Sequence, residues 1–156
     1  MKETGDQRRQ VLSDTDDYRL EAQIGFLLRR ANQRHLSIFA KTIDGLTPTQ
    51  FAALAKLSEL GAMSQNDLGR HTAMDAATMK GVVDRLTRKG LVATRADATD
   101  LRRVIACLTP SGEALIAATV PRAEEVTAAT LAPLTPDEQD TILRLIAKMA
   151  DAPTHK

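Results

Sequence analysis

Apolar residues recur at helical spacing along most of the chain and at strand-like spacing in one stretch near its middle. From about Tyr18 to Lys41 they fall at Leu20, Ile24, Leu27, Leu28, Ala31, Leu36, Ile38 and Phe39. That spacing is nearly helical but covers more than one face, so a helix there needs cover on several sides. "DGLTPTQ" breaks and restarts the pattern, with Thr47 as a helix cap, Pro48 at the first helical position and Gln50 three residues after the cap. The helix that follows is expected to carry Phe51, Leu54, Leu57 and Leu60 inward and to stop at Gly61.

Ser64 can cap a brief third helix anchored by Leu68, which "HTAM" interrupts. Asp75 then caps a stronger one whose apolar residues are Met79, Val82, Val83 and Leu86, at i, i+3, i+4 and i+7. Gly90 stops it after the basic last turn Arg88-Lys89, which suits the helix dipole. "LVATR" and "RRVIACLT" read as short strands around the turn-forming "ADATD". A further helix begins near Pro110 and runs through Ala114, Leu115, Ala118 and Val126, with a kink or bend expected at Pro121. Thr135, Pro136 and Glu138 open a last helix whose stripe is Ile142, Leu145, Ile146 and Met149.

Helix, short helix, turn, helix and two-stranded ribbon is the order of a winged helix-turn-helix. An α-helix fits the major groove of B-DNA, the helix before it braces it, and a basic ribbon can reach the flanking minor groove or phosphates. Composition agrees with a mostly helical fold: 43% of the 156 residues are apolar, with three Phe, one Tyr and no Trp. The net charge of +1 announces no polyanion partner. Its distribution is more telling, since residues 64–109 hold eight Lys and Arg against five Asp and Glu, whereas residues 110–156 hold four against seven. No apolar run approaches the roughly 18 residues that span a bilayer. The charged N-terminus lacks the apolar segment of a signal peptide. A single cysteine excludes an internal disulfide framework, so the expected setting is the cytoplasm.

Projecting the Asp75–Lys89 helix puts its four apolar residues on one side. Ala77, Thr78, Lys80, Gly81, Arg85 and Arg88 lie on the other. Small residues at 77 and 81 would let the backbone approach a groove floor, while the hydroxyl and cationic groups suit phosphates and base edges. Asp84 stands four residues from both Lys80 and Arg88 and can pair with either. Taken alone, such a face also suits a merely solvated helix surface.

The stretch "LSELGAMSQNDLGRHTAMDAATMKGVVDRLTRKGLVATRADATDLRRVIACLTPSGEAL" resembles the core of the MarR family of bacterial transcriptional regulators. The likeness rests on "DRLTRKGLV" leaving the recognition helix, on Asp100 and Arg102 as "D-x-R", and on "LTPSG" after the second strand, and it extends over roughly residues 20–150. It implies a winged helix-turn-helix at about 47–109 and dimerisation helices at 17–45 and 110–150. Residues 1–16 would be a flexible lead and 151–156 a tail. It implies a homodimer on a pseudo-palindromic double-stranded operator, with Arg102 entering the minor groove and Asp100 orienting it. Ser64, Gln65, Arg70 and Arg103 complete the expected DNA-binding set. Leu101 departs from the polar residue common between the pair and removes one phosphate contact.

Many such repressors are released by a small aromatic anion. "YRLEAQIGFLLRRANQRHLSIF" resembles members that control aromatic acid catabolism, some through coenzyme A thioesters. A carboxylate could pair with Arg34 or His35 while a ring lay against Phe39 and Phe51; equally, His35 suits an interface and Arg34 a surface charge. Other readings stay open: ligand-independent repression, a redox response through Cys107, or a winged-helix protein-interaction module. Cys107 has no resolving partner in the chain and is expected to be buried and inert. His35, His71 and His155 are scattered, so no metal or cofactor is expected, and no nucleophile–base pair suggests an enzyme.

Overall fold

The computed structural model describes residues 17–154. The expected flexible lead at 1–16, together with His155 and Lys156, lies outside them. Six helices and three short strands follow one another: α1 Ile24–Thr42, α2 Pro48–Leu60, β1 Met63–Ser64, α3 Gln65–His71, α4 Ala76–Arg88, β2 Val92–Ala96, β3 Val104–Leu108, α5 Pro110–Leu131 and α6 Pro136–Ala150. The chain divides into two compact units, residues 1–35 and 36–156, with the division falling inside α1.

In the first unit a single 3-10 turn, Leu20–Ala22, precedes α1. Gln23 between them is extended (ψ 134°), so the helix expected from Tyr18 begins instead at Ile24. The apolar pattern ran on through this break because a 3-10 turn spaces side chains almost as an α-helix does. Leu20, Ile24, Leu27 and Leu28 are all exposed.

The second unit holds the core. Thr47 and Gln50 form the full reciprocal cap of α2, with Gln50 N–H donating to the Thr47 hydroxyl at 3.2 Å and Thr47 N–H to Gln50 Oε1 at 3.3 Å. Leu54 and Leu57 point inward and Phe51 is half-buried. Leu60, expected inward, is exposed, since it occupies the last turn before Gly61 turns the chain away at φ 82°. Leu68 of α3 and Met79, Val82, Val83 and Leu86 of α4 join Leu54 in one cluster, which Val92, Ala106, Ile116 and Val126 close from the hairpin and α5.

The hairpin is the expected pair of strands, in antiparallel register from Val92 opposite Leu108 to Ala96 opposite Val104. A third strand was not expected: β1 pairs with β3, Met63 opposite Ala106 and Ser64 opposite Ile105, giving the order β1-β3-β2. Two residues are too short to show any alternation. The hairpin root is tight against α5, where a Cβ at Gly112 would lie 2.0 Å from the Leu91 carbonyl oxygen. Pro121 lies inside α5 without ending it; its missing N–H removes only the bond to the Ala117 carbonyl. α6 has the reciprocal Thr135–Glu138 cap and no buried residue, so its apolar stripe is open.

Candidate nucleic-acid interface

The centre of the candidate interface is α4. Asp75 caps it as expected, accepting the Thr78 N–H at 2.7 Å. That bond above all holds the Asp75 carboxyl below the ordinary carboxylate range. All four apolar residues of α4 are at most 2% exposed, so packing fixes its rotation about its own axis. Its other side is thereby set: Ala77, Thr78, Lys80, Arg85 and Arg88 are exposed, and Gly81 is half-buried. A Cβ at Gly81 would meet only Arg85 Nη1 at 3.7 Å, so the backbone there is open to close approach. Asp84, the one carboxylate inside α4, is engaged by Lys80 Nζ at 2.8 Å, and Arg88 Nε donates to the Asp84 carbonyl at 3.3 Å.

α3 supplies Gln65, half-buried, and Arg70, exposed and paired with Asp67. Ser64 is 3% exposed, its hydroxyl accepts the Asp67 N–H at 3.1 Å, and the same group donates to Asp67 Oδ2 at 2.7 Å. Ser64 is therefore the cap that the sequence also suggested, and its one hydroxyl hydrogen is engaged by Asp67. The turn between α3 and α4 passes through Ala73 at φ 54°, a left-handed conformation that costs a non-glycine residue about 1 kcal/mol.

In the wing, Asp100 does not reach the Arg102 guanidinium by any ion pair among the described residues. Its Oδ1 accepts the Arg102 backbone N–H at 3.0 Å instead, which fixes the tip of the hairpin and leaves the Arg102 side chain exposed. Leu101 stands beside it, 83% exposed. Arg103, expected on a phosphate, is held within the protein by Asp67 and Asp97. Asp67 is kept below the usual range chiefly by the Ser64 hydroxyl, with help from Arg70 and Arg103. Asp97 is kept there chiefly by the Thr99 N–H, with Arg103 contributing.

The sequence missed three pairings at this surface. Asp67 follows the Ser64 cap by three residues, but its ion pair with Arg103 spans 36 residues and leaves no trace in spacing; Asp97, in the turn-forming stretch, gave no sign that it faces Arg103. Lys89 was seen only as part of a basic last turn, yet its ammonium donates to the Gly45 carbonyl at 2.6 Å and to Gln50 Oε1 at 3.2 Å, tying the end of α4 to the start of α2.

Of the expected effector residues, Arg34 is exposed and His35 half-buried, both in the first unit. Phe39 and Phe51 belong to the second, where their rings meet edge-on with centroids 6.2 Å apart. Phe39 is 5% exposed and part of the core cluster, so it packs within the second unit. Cys107 is half-buried rather than buried, with its thiol 3.6 Å from the Ala93 carbonyl. Among the described residues no group of His, Cys, Asp or Glu is arranged to hold a metal ion, and no helix is long and apolar enough to cross a membrane.

Residues 46–104, from the residue before the α2 cap to the first residue of β3, match the MarR family. The transcriptional repressor NicR of Pseudomonas putida is 40% identical over 141 residues, covering 89% of each chain. The chain belongs to the MarR family. Two solved structures extend the likeness to the whole MarR architecture. One, from Pseudomonas aeruginosa and described as a probable transcriptional regulator, is 51% identical with a TM-score of 0.80, over 84% of this chain and 99% of that one. The other is BpsR of Bordetella bronchiseptica, whose DNA binding is regulated by 6-hydroxynicotinic acid; it is 44% identical with a TM-score of 0.84, over 87% and 99%. These MarR-type relatives are transcriptional regulators, not enzymes.

Proposed function

We propose that this MarR-family regulator is a repressor that binds double-stranded DNA as a homodimer and is released by a small aromatic acid. The observation that carries the DNA-binding part is the division of α4: all four large apolar side chains are used inside the lobe, and the small, hydroxyl and cationic residues opposite have no protein to cover them. Ala77, Thr78, Gly81 and Arg85 would face the major groove, with Lys80, Arg88, Arg70 and Gln65 toward its walls. Arg102, at the tip of the wing, would enter the adjacent minor groove.

Dimerisation through 17–45 and 110–150 is supported by the open apolar stripes of α1 and α6. A twofold dimer presents two copies of α4 and so prefers a pseudo-palindromic site with half-sites about one helical turn apart. For the effector, the resemblance to BpsR favours a hydroxylated aromatic carboxylate. Arg34 and His35 are the side chains we assign to its charge. Binding would shift the population away from the spacing of the two α4 helices that fits successive grooves.

The test is operator binding by fluorescence anisotropy across a salt series, using DNA upstream of the chain's own gene. Wild type is expected to bind with a steep salt dependence. Arg102→Ala is expected to weaken binding at least tenfold, about 1.4 kcal/mol, and to flatten the salt slope. No shift at low salt would favour a protein-interaction module, and an unchanged Arg102→Ala slope would remove the wing from the interface.

A further inference from the structure

The two adjacent wing arginines are placed differently. Arg102 has no ion pair among the described residues and stands exposed. Arg103 turns back: its Nη2 lies 3.2 Å from Asp67 Oδ2 of α3, and its Nη1 lies 3.6 Å from Asp97 Oδ2 at the end of β2. The backbone closes the same joint, with Asp97 N–H donating to the Arg103 carbonyl at 3.0 Å and Arg103 N–H to the Asp100 carbonyl at 3.0 Å. A planar guanidinium with donors on two edges is the group that can hold two carboxylates at once. Asp67 itself is fixed from the other side by the Ser64 hydroxyl and Arg70, and α3 packs directly against α4.

We propose that Arg103 is a positioning residue. It locks the hairpin onto the helix-turn-helix through Asp67, so that the Arg102 tip and α4 meet the duplex as one body. This rests on the DNA-binding reading above.

Asp67→Asn separates the two roles by sign, because the amide keeps the cap's shape and removes a negative charge beside the duplex. If Arg103 contacted phosphate, the loss would free two arginines and tighten operator binding, with a steeper salt slope. The positioning role requires the opposite, a loss of about two- to fivefold, the scale of a partly exposed ion pair. Arg103→Ala should lose a similar amount, the double variant should lose no more than Arg103→Ala alone, and Arg103→Lys should recover part of it.

A second readout needs no DNA. Amide hydrogen exchange should quicken at Asp97 and along β2 in both single variants, while the α4 amides stay protected and show that the lobe is folded. Tighter binding by Asp67→Asn, or unchanged exchange at Asp97, would overturn the proposal. Failure of the wild type to bind any operator would instead overturn the DNA-binding reading, and the exchange data would still decide whether Arg103 holds the hairpin.

Discussion

α4 and α6 are built alike and finished differently. Both are amphipathic, both start on a side-chain cap, and both carry four apolar residues on one stripe. In α4 the stripe is consumed by the lobe, at most 2% exposed. In α6, Leu145, Ile146 and Met149 remain 41–48% exposed and Ile142 is only half-buried. The difference assigns two kinds of work. A helix whose greasy side is satisfied within its own chain can only offer its polar side to another molecule. A helix whose greasy side is open offers that side, and the partner that matches it best is an identical stripe.

The largest effect should come from breaking α4. Leu86→Ala removes a fully buried side chain at the centre of the cluster and should cost about 2–5 kcal/mol of stability, read by denaturant unfolding. A cost within error would mean that the lobe's core does not fix the rotation of α4. Next comes Ile146→Asp in α6, which should leave the secondary structure intact while weakening the proposed dimer about a hundredfold, near 2.7 kcal/mol. Sedimentation at several concentrations would reveal it. If Ile146→Asp unfolds the chain and leaves no folded monomer, α6 serves the chain's own core and the contrast with α4 fails.

The smallest effect concerns acid. Asp67, Asp75 and Asp97 all have their carboxyl groups lowered by hydrogen-bond donors in the folded protein. A lowered folded value means that their contribution is fully present above the ordinary carboxylate pKa of about 4 and is lost as pH falls through the lowered values. Asp75→Ser keeps an α4 cap without a titrating group, so its acid-unfolding limb should be shallower than that of the wild type. Identical limbs would show that the Asp75 carboxylate adds nothing to stability.

Local chemistry made much of this legible. The caps at Thr47, Asp75 and Thr135 are three-residue patterns with one geometric solution, and the α4 quartet has one rotational solution once a core exists. What escaped was set by distance or by ends. β1 is two residues long and exists only because β3 arrives beside it. Leu60 has the right spacing for burial but falls in the last turn, where the core has already ended. Ser64 was read both as a cap and as a contact, and the bonds to Asp67 show the cap. Arg103 looked like its neighbour Arg102 because sequence shows the charge and not the direction; one of the two carboxylates that turn it sits 36 residues away.

The bare hydrogen of Gly112 has a consequence for how motion passes through the lobe. The Leu91 oxygen occupies the space where any other residue would keep its first carbon. The root of the hairpin and the first turn of α5 therefore form a joint without slack. A push along α5 would reach the winged-helix lobe at its first turn, backbone against backbone.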